Sequence, residues 1–566
     1  MVIYALIGVG IILVATIFLR KFVSPNQQNA RVLTTSIDKS IAVLPFKNDS
    51  PDPDNEYLCN GMMEDILTNL QKIGELEVKS RTDVEQYRET TKTVAVIGSE
   101  LQVAFILGGS VRKIGDDLRI TAQLIDVNTG DYLWADMYDG KYTEEIFDFQ
   151  SNIARKVANA LHASITPKEE ERIEKIPTTD ITAYDLCKRA SNEINRHWLR
   201  EGNENTLKLA RKLINGALEI DPNYIQALSL MGRLCIAEKK LDSLYFYAKR
   251  IIEIDPEESE GYWLMGRHHE FKDEIDEAID NYQLAIKYLK PEAEDIHLSR
   301  AQLEVSLGQL YFRHKHDVLN ALSHYQKAFD FNTDPDFMPA GNLAFIFSII
   351  GDYERAEMYG KKLIEMAPKL DGWYILLQGP NLQRQGKYNQ SINFLDSMSA
   401  ISIRNHPITY GLFLNHLLLG NLDQAEQYYN QWLNLGGGTK LQNAEDFAYL
   451  YKKLGKDQEA INMLNEGRAK WEEIPKNDRY AGTLASLSTI YALLDKKEES
   501  LKYLSQAVEK GKGCSYWRID FETDPRFENL WDDPEFKAIM KRLKDKKQAL
   551  QEEVRKMRNG ERLVFN

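Results

Sequence analysis

Two histidine clusters carry side chains that could bind a metal. His268-His269 and His314-Lys315-His316 offer imidazoles of the kind that hold zinc, copper or nickel. Neither has an acidic or cysteine partner at a convincing ligand spacing, so both read as helix ends or repeat-packing residues. Asp52, Asp54 and Glu56 bring carboxylates together without the frame of a calcium loop, and their expected role is to cap a helix beginning at Glu56. Gly108-Gly109-Ser110 lacks the lysine of a phosphate-cradling loop; glycines there relieve crowding where a strand passes a helix. The four cysteines, Cys59, Cys187, Cys235 and Cys514, lie far apart with no Cys-x-x-Cys pair, which removes zinc-ribbon and thioredoxin-type chemistry. No Ser–His–acid or Cys–His arrangement is readable. The expectation is therefore a protein that is not an enzyme, with no cofactor and no metal.

Composition narrows the class further. A formal net charge of −14 argues against general affinity for phosphate backbones, so no direct nucleic-acid binding is expected. With 28% charged and 43% hydrophobic residues the chain is an ordinary globular mixture, and 566 residues leave room for two or more cores.

Folding the sequence at a period of about 34 residues superposes its middle on itself. Gly232 aligns with Gly266, and Trp198 stands one period earlier. Ala210, Leu244 and Ala278 form a second column, Ala217, Ile251 and Ala285 a third, while Pro222, Pro256 and Pro291 close the units. Small residues belong where paired helices cross closely, and a proline cannot continue the second helix. One such unit cannot bury its own apolar face, whereas stacked units share a continuous core.

These columns resemble the tetratricopeptide repeat family. The pattern continues through Gly308, Ala321 and Ala328, then "GDYERAEMYGKKLIEMAP", "GKYNQSINFL", "GNLDQAEQYYNQW", "GKDQEAINML" and "KKEESLKYLSQA", giving about nine units over residues 184–513. The resemblance implies that first-helix residues one turn apart line a concave groove for protein or peptide partners. Carried onto these columns, the groove residues are Asn192 and Asn195, then Gln226, Ser229 and Arg233, then Glu260, Trp263, Arg267 and Glu270. Arg233 and Arg267 stand one period apart. They either grip a peptide carboxylate or pair with local acids.

Residues 38–165 read as a small α/β module. "SIAVLPF" is a short buried strand, Glu56 to Ile73 an amphipathic helix, and Leu76–Lys79 a second strand. "VAFILGGSVRK", "LRITAQLID" and "DYLWADMY" form an antiparallel meander, with Leu118, Ile120, Ala122 and Leu124 on one face. Ile146 to Ala163 closes the module as a helix. The segments "SIAVLPFKNDSPDPDNEYLCNGMMEDILTNLQKI" and "ILGGSVRKIGDDLRITAQLIDVNTGDYLWADMYDG" are similar to the TolB amino-terminal-like (FlgO-like) module. That module precedes tetratricopeptide arrays in membrane-anchored bacterial regulators of Bacteroidetes type. Those regulators place a helix-turn-helix or cyclase domain before the membrane helix. Here one residue precedes the apolar run, so neither activity is carried over.

That run, Val2–Leu19, has no charge and no proline and just reaches bilayer-spanning length, with Arg20 and Lys21 at its end. A transmembrane helix is expected at 2–19 and a polar linker at 20–37. The two charges favour a cytoplasmic carboxyl side, but the domain order of the resembled family outweighs them. The soluble part is expected in the periplasm of a single-pass inner-membrane protein. Residues 514–566 repeat nothing. Trp517, Phe521, Phe527, Leu530, Trp531 and Phe536 could close the open end of the array, followed by a charged helix with pairs such as Glu552–Lys556. The functional expectation is a membrane-anchored interaction scaffold or signalling sensor. The alternative is the sensory half of a transmembrane transcriptional regulator.

Overall fold

The computed structural model describes residues 39–198, 204–290, 299–331, 338–366, 371–399, 405–436, 443–476, 479–514 and 519–558. They divide into two compact units, the first within Met1–Lys79 and Val84–Ile176, the second within Pro177–Asn566 together with Ser80–Asp83. The apolar stretch Val2–Leu19 lies outside the described residues. Among those described, no helix is long and apolar enough to cross a membrane.

The first unit is a mixed sheet. β1 (Ser40–Val43) pairs in parallel with β3 (Glu77–Val78) on one side and β4 (Phe105–Ile114) on the other. The short β2 (Lys47–Asn48) adds to β4, and β4 runs antiparallel to β5 (Asp117–Asp126), which pairs with β6 (Tyr132–Lys141). The alternation in β5 does what its period demands: Leu118, Ile120, Ala122 and Leu124 are all buried. Helix Glu56–Gln71 buries Leu58, Met62, Ile66 and Leu70, one stripe at helical spacing. Helix Glu145–Ala160 buries Ile146, Ile153 and Val157, and its Gln150 donates to Asp65 Oδ2 at 3.1 Å on the first helix. Gly109 sits inside β4, where a Cβ would meet the Thr121 carbonyl oxygen at 2.3 Å and the Phe46 ring at 2.6 Å. Its glycine is thus a packing requirement. Asp52 accepts from the Asp54 backbone N–H at 2.9 Å and so caps the short 3-10 turn Pro53–Asn55 rather than the helix at Glu56, whose N-cap Asn55 makes no side-chain cap hydrogen bond; Glu56 itself takes Arg88 Nη1 at 2.6 Å.

The second unit is built of helical hairpins, nine of them among the described residues. They are Ile181–Trp198 with Glu204–Ile220, Ile225–Glu238 with Leu241–Ile254, Ser259–Phe271 with Ile275–Tyr288, Arg300–Arg313 with Val318–Asp330, and Met338–Ile349 with Tyr353–Met366. Then follow Asp371–Arg384 with Tyr388–Ser399, Asn405–Leu418 with Leu422–Asn434, Ala444–Lys453 with Asp457–Glu472, and Ala481–Leu493 with Lys497–Lys510. The small-residue column runs through all of them: Ala210, Leu244, Ala278, Ala321, Ser391, Ala425, Ala460 and Ser500 are 0% exposed and Ala356 is 4%. The turn inside each of hairpins two to nine contains one left-handed residue: Lys239, Asp273, His316, Gly351, Gly386, Gly420, Gly455 and Asp495. Glycine takes that conformation without strain, which is why "GDY", "GKY", "GNL" and "GKD" recur in the later units.

Gly266 and Gly308 each lie beneath the tyrosine of their own second helix. A Cβ would meet Tyr282 at 2.7 Å in the first case and Tyr325 at 2.6 Å in the second. Tyr282 is fully buried and cannot withdraw. Gly266→Ala should therefore destabilise by about 1–3 kcal/mol of overpacking, despite gaining about 0.5–1 kcal/mol of helix propensity. Thermal unfolding checks this; a neutral or stabilising effect would contradict the close crossing.

Candidate binding groove

The candidate residues fall on the first helices of hairpins one to three, as a stripe. Asn192 and Asn195 lie half-buried on Ile181–Trp198, and Gln226 is exposed near the start of Ile225–Glu238. Ser229, one turn on, is buried. Arg233 does not reach out to solvent. Its Nε and Nη2 donate to both carboxylate oxygens of Glu260 on the next hairpin, at 2.8 and 3.0 Å, and its guanidinium lies 5.7 Å from the centre of the Trp263 ring. The side chains of this pair are only 13% and 8% exposed. A fork-to-fork pair of this burial joins hairpins two and three as a staple.

Arg267 is arranged differently. Its Nη1 donates to Glu270 Oε2 at 2.8 Å within its own helix, the same oxygen accepts from Tyr282 Oη at 2.5 Å, and the guanidinium stands 4.9 Å from the Phe271 ring centre. Glu270 and Tyr282 raise the Arg267 pKa against the opposing effect of burial, which is the largest influence on it. The structure thus gives the two arginines local acid partners. Along the stripe the amide of Gln226 is exposed, while Asn192, Asn195, Trp263 and Glu270 are half-buried.

Hairpins five to nine are occupied by the chain's own carboxyl-terminal segment. Phe521, Phe527, Leu530, Phe536, Ile539, Met540 and Leu543 join the buried cluster of Leu484, Ala485, Leu501 and Leu504 on the ninth hairpin. Ile519 reaches the core around Tyr410, Phe413 and Phe447 of hairpins seven and eight. The helix Pro534–Arg558 carries its apolar stripe onward, so that Leu550 and Val554 pack with Cys514, Leu343, Phe347 and Ile350 of the fifth hairpin. Gln551 Nε2 donates to the Ile350 carbonyl at 2.9 Å. At 25 residues this helix is about 37 Å long. That length lets it touch both the ninth and the fifth hairpins. The segment therefore does more than close one end. Trp517 lies outside the described residues.

Buried charge fixes the segment in place. Arg526 donates to Asp524 at 2.7 Å and also to Asp446 on the first helix of hairpin eight, and Asp446 in turn accepts from Tyr410 Oη. Arg526 and Asp446 are each 9% exposed and Asp524 1%. Beside them Glu445 is buried, its Oε2 has no hydrogen-bond partner, and burial with the Asp446 charge pushes its pKa up to about 7. Sequence reading missed this cluster. Its one signal was the acidic pair Glu445-Asp446 between Ala444 and Phe447, where a first helix should be apolar.

A half-open cleft of about 520 Å³ lies between hairpins three and four and the last helix, lined by Asp276, Asp280, Tyr311, Lys315, Leu550 and Glu553 among others. Lys315 pairs with Asp276 at 2.5 Å, and Lys512 donates to the His316 carbonyl at 3.4 Å.

Comparison with known proteins adds the following. Residues 37–156 match the family described as HilA/YgeH-like transcriptional regulator, second domain. This covers the stretch that resembles the TolB amino-terminal-like module. A curated relative from Rhizobium meliloti (strain 1021), named "Putative adenylate cyclase 3", is 34% identical over 249 residues, which is 42% of this chain and 41% of that protein. The chain thus spans well under half of that relative. Among solved structures, a tetratricopeptide repeat protein from Parabacteroides merdae ATCC 43184 overlaps 50% of this chain and 98% of its own, at 16% identity and a TM-score of 0.35. YrrB, described as a TPR protein with an unusual peptide-binding site, overlaps 35% of this chain and 96% of its own at 15% identity and a TM-score of 0.28. Lipoprotein GNA1162 from Neisseria meningitidis overlaps 21% of this chain and 97% of its own at 19% identity and a TM-score of 0.18. Overlaps of this extent say nothing about what the present chain binds. The repeat assignment rests on the hairpins, turns and buried columns described above.

Proposed function

We propose that the chain is a non-enzymatic interaction scaffold or sensor module that holds a protein or peptide partner along the first helices of hairpins one to three. The observation that carries this reading is the division of the array. Hairpins five to nine are packed by the chain's own tail, whereas the stripe from Asn192 to Glu270 presents amide, indole and carboxylate groups. The strongly perturbed charges, Arg526 and Glu445, are locked in packing rather than set around a cleft, which supports the absence of a reaction. In this proposal Val2–Leu19 anchors the protein in a bacterial inner membrane with the remainder in the periplasm. Release of a folded, soluble chain by deleting residues 1–21 tests the anchor; a truncated chain that still sediments with membranes refutes it.

The groove test must separate binding from stability. Arg233→Ala strands Glu260, buried without its partner, and should cost about 3 kcal/mol. Gln226→Ala, at the exposed position of the stripe, should leave thermal unfolding nearly unchanged while weakening partner capture several-fold. Equal capture by wild type and Gln226→Ala would remove Gln226 from the groove.

A second reading is favoured by the match of residues 37–156 to a transcriptional-regulator domain. In that reading the chain is the sensory half of a transmembrane regulator whose DNA-binding domain is encoded separately or upstream. An in-frame helix-turn-helix in the preceding DNA would favour it. Neither reading assigns cyclase activity to these residues, and purified protein should form no cyclic AMP from ATP.

A further inference from the structure

We propose that His268, His269 and Glu274, at the turn of the third hairpin, form a binding site for one divalent transition-metal ion of the zinc class. One ligand atom from each of the three lies within 4.8 Å of the other two. The sequence places the two histidines side by side, but the turn is what supplies the missing carboxylate. The first helix ends at Phe271, Asp273 adopts a left-handed φ of 62°, and the chain reverses so that Glu274, preceding the second helix, comes back against His269.

The tautomer of His268 follows from its partner. Its Nδ1 lies 3.0 Å from the Leu241 carbonyl oxygen, which can only accept, so Nδ1 carries the proton and the lone pair is on Nε2. A backbone carbonyl in this position is the common outer support of a metal-ligating histidine, because it fixes the ring and raises its basicity. The ring is 4% exposed, so the surrounding packing fixes its orientation. His269 Nδ1 is 2.6 Å from Glu274 Oε2.

Two imidazoles and one carboxylate make the three-ligand set that zinc accepts while keeping an open position. At bonds of about 2.0–2.2 Å the ligands of one tetrahedral ion stand about 3.4 Å apart, so the 2.6 Å His269–Glu274 hydrogen bond must open as the ion replaces its proton. The 43% exposed Glu274 side chain can make that movement, while the buried His268 ring remains fixed. Lys272 lies close enough to act on both histidine and glutamate, and its charge opposes the ion. The site belongs to the same helix as Arg267 and Glu270, so an ion there would stiffen the end of the proposed groove. It does not depend on that groove being used.

The test is a titration of chelator-stripped full-length protein with Zn²⁺ against a chromophoric chelator, paired with Co²⁺ absorption as a report of nitrogen and oxygen ligation. One equivalent should bind to wild type. Glu274→Gln and His269→Gln should each lower affinity at least ten-fold while metal-free melting stays unchanged. His268→Gln would abolish uptake, but this buried ring is a risk to folding, so the glutamate variant carries the test. Failure of wild type to bind an equivalent, or a loss of less than ten-fold in Glu274→Gln, overturns the proposal.

Discussion

A chain ending at Gly513 should lose the cooperative unfolding of hairpins five to nine and self-associate. The missing segment contributes Phe521, Phe527, Leu530, Phe536, Ile539 and Leu543 to one buried cluster, and Leu550 and Val554 to another. At about 1.5–3 kcal/mol per large apolar side chain, the six of the first set amount to about 9–18 kcal/mol, less whatever the denatured chain already buries. That matches the whole stability of an ordinary domain. Its loss also bares Leu484, Leu501 and Leu504, an apolar patch that seeks a partner in another copy. Hydrogen exchange should show protection lost from residue 481 onward, then from hairpins eight and seven, while hairpins one to three keep theirs. Such a gradient is expected of a repeat array in which each unit is held mainly by its neighbours. A truncated chain that is monomeric and melts like wild type would contradict the packing described.

Arg526→Ala should be the most damaging single substitution at the array's inner surface. It removes the cation that Asp524 and Asp446 share and leaves both carboxylates buried. Breaking a buried pair from one side costs about 3–5 kcal/mol. The sequel is read locally: faster exchange in residues 519–531 and in Ala444–Lys453, with hairpins one to three unaffected. Arg526→Lys should rescue little, because an ammonium cannot reproduce the guanidinium contacts to two acids. The neighbouring Glu445 gives this region a pH signature. Its pKa in the folded chain is raised to about 7, above the unfolded value, so the folded state holds the extra proton. The associated stability is full below the unfolded carboxyl pKa and is lost as pH rises toward 7. Glu445→Gln should therefore stabilise the protein by on the order of 2–3 kcal/mol at pH 8 and by almost nothing at pH 4. Equal effects at both pH values would contradict the burial of a neutral carboxyl.

How much of this was legible in the sequence follows from the range of the interactions concerned. The alternation in β5 and the small-residue columns of the hairpins are local patterns, and Leu118 to Leu124 or Ala210 to Ser500 could be placed from spacing alone. The groove stripe was legible as a set of positions, since first helices recur at a fixed period. Its chemistry was less so: Arg233 could be read as free or paired, and only the fold places the Glu260 carboxylate 2.8 Å from it. The tail shows the limit more plainly. Phe521 and Phe527 announce a buried surface, but nothing periodic says that Leu550 joins the buried cluster of Phe347, across four intervening hairpins, or that Arg526 meets Asp446, 80 residues away. Glu274 was overlooked as a partner of His269 for a related reason. The five-residue separation is not a helical spacing, and it becomes a contact only through the left-handed turn at Asp273.

Site-specific photo-cross-linking in intact cells tests the central reading most directly. A cross-linker at Gln226 or Trp263, on the first helices of hairpins two and three, should form a discrete adduct with a second polypeptide, and Gln226→Ala should diminish the adduct formed from Trp263. The same cross-linker at Phe246, exposed on the second helix of hairpin two, should form none. Adducts from Phe246 alone, or from none of these positions, would contradict a partner held along the inner stripe.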